Sequence, residues 1–225
     1  MSDEARAPDV SSSLIAHRSS LSRIYTLGHS TRSLEELVGL LREHGIKRLV
    51  DIRRYPGSRR YPHFSREALE RSMPEHNIEY LHMPELGGRR KPLGDSPNMA
   101  LRNEQFRAYA DYMATGEFAE AVNRLLAVPR SSSGSSGSSE SSTSSEELRG
   151  TDEPRNSPSR TAIMCAEAVP WRCHRNLVSD DLVRRGVEVV HIIGRNSAQR
   201  HEMTADARVE GDHVVYPAQQ SALRL

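Results

Sequence analysis

Between Thr161 and Arg175 the chain reads TAIMCAEAVPWRCHR. This stretch holds both cysteines of the protein with its only tryptophan, a glutamate, a histidine and two arginines. Cys165 closes a short apolar run, and a polar turn then leads to Trp171, Arg172, Cys173, His174 and Arg175, where a helix is predicted to open and run to Arg185. A thiol at a strand end, facing a helix N-terminus and arginines, is biased towards thiolate, the form that attacks electrophiles, cycles through oxidation states or binds metals. Glu167 and His174 are the acid/base candidates beside it, and Arg172 and Arg175 are donors for an anion. The plainer reading of Cys165 is a small apolar residue in a buried strand.

Similar residues recur where three other candidate strands end. His29 and Ser30 follow the first, Asp51, Arg53, Arg59 and Arg60 the second, and His82, Glu85, Arg89 and Arg90 the third. If these strands are parallel, their carboxyl ends share one edge of the sheet and the loops converge there with Cys165. On that expectation His29 is a second proton carrier. Arg53 and Arg172 form an anion clamp, with Ser30, Asp51, Glu85 and Arg175 as further substrate contacts. Arg53 has an alternative use in pairing with Asp51 or Glu85.

Several named chemistries fit the spacing poorly. Six residues separate Cys165 from Arg172, one more than the cysteine phosphatase loop allows, and EAVPW is no glycine-rich phosphate cradle. The same objection applies to rhodanese-type sulfur transfer. Cys165, Cys173 and His174, with His29 as a fourth, are candidate ligands for zinc or iron, although their spacing is not that of a zinc finger. A disulfide or sulfenate-resolving pair between Cys165 and Cys173 is equally open. Trp171 and Tyr55 are candidates to stack on a ring, with core packing the alternative for Trp171.

The elements needed to position these residues are legible in the apolar pattern. Arg23 to Leu27, Ile46 to Ile52, Ile78 to His82, Ala162 to Cys165 and Val187 to Ile193 are short β-rich runs. Between them, Ser33 and Glu36 have capping-box spacing before Leu34, Leu37, Val38 and Leu41. Ser65 to His76, weakened by Pro74, Asn103 to Met113 and Gly116 to Val128 complete the helices, and Gly186 is a C-cap for the helix before it. Alternating strands and helices predict an α/β fold: a single open, mostly parallel sheet of about five strands flanked by helices in Rossmann-like layers. Val214 to Tyr216 reads as a short edge strand.

Residues 1–22 are expected to be a disordered tail, 23–194 the α/β domain, and 195–225 a C-terminal extension. A Ser-rich insertion at 129–159 interrupts the domain, its composition too polar to offset the entropy of ordering. A net charge of +1 from 31 basic and 30 acidic residues gives no global field for nucleic acid or membranes, so any basic site is local. Two cysteines, no signal-peptide pattern and no long apolar run point to a cytoplasmic protein with free thiols and no membrane partner.

Five segments together resemble domain-of-unknown-function family 488: TLGHSTRSLEELVGLLREHGI (Thr26 to Ile46), LVDIRRYPGSRRYPHF (Leu49 to Phe64), YLHMPELGG (Tyr80 to Gly88), FRAYADYM (Phe106 to Met113) and MCAEAVPWRCHR (Met164 to Arg175). The resemblance spans most of Ile24 to Ile193 and implies a compact cytoplasmic α/β domain, but no activity. It carries over Gly28 to Ser30, Asp51, Arg53, Glu85 to Gly88, Cys165, Glu167 and Arg172 to Arg175, and adds Pro56 and Ser58, the latter as a substrate contact.

Two functional readings follow. One is an enzyme acting on a phosphate-bearing substrate, a nucleotide or nucleic acid, with Cys165 as nucleophile or redox centre. The other is a non-catalytic module that binds a nucleotide, nucleic acid or metal and carries redox-sensitive cysteines. An anionic small molecule or nucleic acid is the expected partner. The sequence assigns no cofactor and no protein partner.

Overall fold

The computed structural model describes residues 23–57, 60–127 and 160–218. The expected N-terminal tail, Ser58, Arg59, the 129–159 insertion and residues 219–225 lie outside the described residues. Five strands run parallel: β1 (Arg23–Gly28), β2 (Ile46–Asp51), β3 (Glu79–His82), β4 (Arg160–Cys165) and β5 (Glu188–Gly194). A sixth, β6 (Ser197–Arg200), returns antiparallel along β5, giving the order β3-β2-β4-β1-β5-β6. The expected open, mostly parallel α/β sheet is what forms.

The helices are α1 (Leu34–Glu43), α2 (Arg66–Glu75), α3 (Glu104–Met113), α4 (Gly116–Ala127) and α5 (Arg175–Arg184). Their starts are chemically marked. Ser33 and Glu36 form the anticipated capping box on α1, while Ser65 and Asn103 accept the first free backbone N–H groups of α2 and α3. Pro74 is accommodated in the last turn of α2, just before the helix stops at His76.

Because strand side chains alternate, each strand feeds two cores. Ala162 and Met164 of β4 pack with Tyr25, Leu27 and Leu49 on one face, against Leu37 and Leu41 of α1 and Leu69 and Met73 of α2. Ile163 and Cys165 point the other way, into a core shared with Tyr109 of α3, Phe118 of α4 and Leu177 of α5. The carboxyl ends of β1 to β4 are level: Cys165 is opposite Gly28, Met164 opposite Asp51, and Asp51 opposite His82. With β4 between β1 and β2, Cys165 stands in the middle of that edge.

The stretch after β5 extends this core. β6 adds to the sheet, and β7 (Arg208–Glu210) pairs with β8 (His213–Val215) as a separate hairpin, so the expected edge strand near Val214 joins β7 and not the main sheet. Val214 and Tyr216 are fully buried. No helix among the described residues is long and apolar enough to cross a membrane.

Candidate functional site

The floor of the site is made by the loops that leave β1 and β4. The His29 N–H donates to the Cys165 carbonyl at 3.0 Å and the Ser30 N–H to the Ala166 carbonyl at 2.8 Å, so the two loops are laced together beyond the sheet. Their approach depends on Gly28, where a Cβ would fall 1.6 Å from the Glu167 carbonyl oxygen. Ser30 turns the chain with φ at 51°, in the left-handed region.

The α5 helix opens later than its sequence suggests. Pro170–Arg172 forms a 3-10 turn, its end closed by the Cys173 N–H donating to the Pro170 carbonyl at 2.9 Å, and α5 begins only at Arg175. Proline pre-sets φ for such a turn. Cys173 is therefore extended and outside the helix, and its sulfur accepts the Arg175 backbone N–H at 3.5 Å.

This conformation gathers Cys165, Cys173 and His174. The His174 Nδ1 lies 3.8 Å from the Cys165 Sγ and 3.6 Å from the Cys173 Sγ, and the three atoms are mutually within 4.8 Å. Both thiols are free and buried. The hydrogen bond from the Cys173 thiol, helped by His174 and Arg175, outweighs burial and holds Cys165 well below an ordinary thiol pKa. Cys173, left with the shared proton and buried, is pushed well above it. The His174 Nε2 is buried without a partner among the described residues.

Above this cluster opens a cleft of about 270 Å³. Arg54, Arg89 and Arg172 line it, and none has a carboxylate partner among the described residues. Glu167 is the one acid in the lining. Tyr55, 66% exposed, and Phe106 of α3 contribute aromatic surface. The cleft is thus a positively charged, partly aromatic concavity over two sulfurs and an imidazole, suited to an anion bearing a flat group.

The other predicted site residues are elsewhere or otherwise employed. Asp51 is completely buried and takes the Arg53 guanidinium at 2.9 Å and 3.1 Å through Nε, together with the Tyr80 hydroxyl at 2.8 Å. Arg53 also donates to the Phe64 carbonyl and to the His29 Nε2 at 3.1 Å, so it reaches the cleft lining largely spent. His29 is held at both nitrogens: Nε2 accepts from Arg53, and Nδ1 donates to the Ser30 carbonyl at 3.0 Å. Burial and the Arg53 charge pull its pKa down to about 4, so the ring expected from sequence as a second proton carrier is held neutral with both nitrogens bonded.

Arg175, expected as a substrate contact, is used within the fold as a brace. It has no exposed surface, and its Nη1 and Nη2 hold the Glu167 and Ala168 carbonyls at 2.8 Å and 2.9 Å, fixing the loop that carries Cys165. Glu85 lies outside the cleft lining, ion-paired to Arg124 of α4 at 2.9 Å. Against partial burial, that pairing lowers its pKa. Arg90 packs over the Tyr112 ring at 3.4 Å, and His82 bonds the Arg53 carbonyl. Ser30 contributes its backbone, and Ser58 lies outside the described residues. Phe106 packs against the core and also lines the cleft. Gly87 and Gly88 matter through their lack of side chains: a Cβ on Gly88 would stand 3.0 Å from the His174 Nδ1.

Residues 33–134 match the family model described as Domain of unknown function DUF488, a span from the cap of α1 past the end of α4. The matched span supplies Arg54, Tyr55, Arg89 and Phe106 of the cleft; Arg172 and the cysteine stretch lie beyond it. No curated protein and no solved structure matches the chain.

Proposed function

We propose that the chain is an enzyme acting on a phosphate-bearing substrate, a nucleotide or nucleic acid, in the arginine-lined cleft, with the Cys165, Cys173 and His174 cluster as its reaction centre. The observation that carries the reading is three arginines without carboxylate partners among the described residues, lining the same cleft as two cysteines and a histidine. Unpaired guanidinium groups present fixed N–H pairs that match phosphate oxygens. Arg54, Arg89 and Arg172 bind the phosphate, Tyr55 and Phe106 offer ring faces to a base, and Glu167 is the acid/base group. Two free thiols suit a reducing compartment, and we place the protein in the cytoplasm.

The test is turnover of p-nitrophenyl phosphate and a panel of nucleoside phosphates by the full chain, alongside thermal shifts with the same compounds. A substrate that is turned over, with KM raised roughly 10-fold by Arg172→Ala, is the expected result, since one charge-assisted contact contributes about 1.4 kcal/mol. Binding without turnover would make the chain a nucleotide-binding module. No binding of any phosphate compound would sink both.

A further inference from the structure

We infer that Cys165, Cys173 and His174 form a three-ligand site for a zinc-type divalent cation, whose fourth position opens into the arginine-lined cleft. The inference rests on the cleft being the reaction centre and assigns that centre its chemistry. It turns Cys165 from a candidate nucleophile into a metal ligand.

The argument is first geometric. Zinc binds thiolate at about 2.3 Å and imidazole nitrogen at about 2.0–2.1 Å in a tetrahedron, so a sulfur and a nitrogen on one ion stand about 3.6 Å apart. The His174 Nδ1 is 3.8 Å from one sulfur and 3.6 Å from the other. Hydrogen bonding explains this arrangement badly, because a single ring nitrogen has one in-plane direction and at most one proton to share between two sulfurs. An ion at the junction uses that direction and both sulfurs at once.

The surroundings point the same way. Gly88 leaves open the space beside the donor nitrogen, since a Cβ there would lie 3.0 Å from the His174 Nδ1. The Arg175 backbone N–H already donates to the Cys173 sulfur at 3.5 Å, a bond that favours a ligating thiolate. Arg175 also pins the Glu167 and Ala168 carbonyls, holding the loop between the two cysteines in the shape that brings them together. Two sulfurs and one imidazole suit zinc over magnesium or calcium, which take oxygen ligands. All three donors line the cleft, so the coordination is not closed by protein on that side, as in a catalytic rather than a structural site. A phosphate held by Arg89 and Arg172 then brings an oxygen towards the remaining position.

The experiment uses the full chain, expressed with zinc in the medium and purified without chelator. One zinc per chain is expected by elemental analysis, lost in Cys165→Ser, Cys173→Ser and His174→Ala but retained in Trp171→Ala, whose side chain is exposed. Because a ligand variant can fail to fold, the wild-type apoprotein is also titrated with cobalt(II). Thiolate-to-cobalt charge-transfer bands and the strong visible bands of a tetrahedral ion are expected, as is zinc protection of both thiols from alkylation. A wild-type chain that takes up neither zinc nor cobalt overturns the inference, as does metal retained in a folded Cys165→Ser variant. Metal binding with no phosphate ligand would leave the inference standing and remove the proposed substrate. Phosphate turnover by a metal-free chain would do the reverse.

Discussion

Helix α5 borders two clusters of polar side chains that have been built in opposite ways. At its N-terminus are Cys165, Cys173 and His174, with the His174 Nε2 and the Arg175 Nε both buried and unpaired among the described residues. Further along, Asp180 ends a chain in which every polar group is used. The Thr26 hydroxyl donates to the His191 Nδ1 at 2.7 Å, the His191 Nε2 to the His201 Nδ1 at 2.8 Å, and the His201 Nε2 to the Asp180 Oδ1 at 2.9 Å. The Tyr216 and Thr204 hydroxyls close on the Asp180 Oδ2, each at 2.7 Å. Burial, with His201 beside it, depresses His191 to about 3, and a ring that accepts from the Thr26 hydroxyl at Nδ1 donates from Nε2 to the His201 Nδ1, which fixes the direction of the chain. The second cluster joins β1, β5, α5 and the C-terminal segment, and offers nothing to a ligand. The first has donors to spare and a cleft above them. Histidine alone does not mark a site in this molecule; unpaired donors beside an open cleft set the first cluster apart.

The comparison breaks most visibly if Asp180 is removed. Asp180→Ala leaves buried hydroxyl, imidazole and amide donors without an acceptor, and a loss of roughly 3–5 kcal/mol in unfolding free energy is expected. Cys165→Ser should cost no more than about 1 kcal/mol in the metal-free protein, and abolish the turnover of the metal-loaded one. Equal losses in denaturant melts of the two variants would show that both clusters are structural.

Acid should act next most strongly. His29 and His191 are neutral when folded, with pKa values of about 4 and about 3, whereas the unfolded chain protonates histidine near 6.5. Their contribution is whole above pH 6.5 and declines as pH falls from there through 4, because the unfolded state takes up protons first. A drop of a few kcal/mol between pH 7 and pH 4.5 is expected in urea unfolding, less in a His29→Gln variant. A flat profile would mean that neither ring is held neutral. The smallest effect on stability belongs to Arg172→Ala, which should leave the melting temperature unchanged and weaken phosphate about 10-fold. If Arg172→Ala instead destabilised the fold as Arg53→Ala should, the division between spent and available arginines would fail.

That division explains which parts were legible in the sequence. All five parallel strands and the helices up to α4 announce themselves, because apolar period and capping residues such as Ser33, Ser65 and Asn103 are local signals. Strand β6, SAQR, is exposed at every position and carries no such signal. The convergence of strand-end loops was legible once the strands were taken as parallel. The work of each arginine was legible only in part: of the two uses open to Arg53, the pairing with Asp51 is the one that forms, and no local signal tells that Arg172 has no such pair among the described residues. Nor does any spacing link Thr26, Asp180, His201 and Tyr216, which meet through the topology alone. The late start of α5 escaped because an extended Cys173 between a 3-10 turn and a helix has no periodic signature.

Strand β4 also separates two kinds of change. The segment between α4 and β4 enters the strand at Arg160, on the amino edge of the sheet, and Cys165 leaves it at the opposite edge. Five residue steps at about 3.3 Å place these ends about 17 Å apart along the strand. A change confined to the chain before Arg160 therefore meets the fold a full strand length from the cysteine. Replacing residues 131–157 by a short glycine-serine tether, or by a fluorescent domain, is expected to leave turnover within about twofold. Strand β4 thereby keeps its entry and its chemistry at opposite ends of one rigid span.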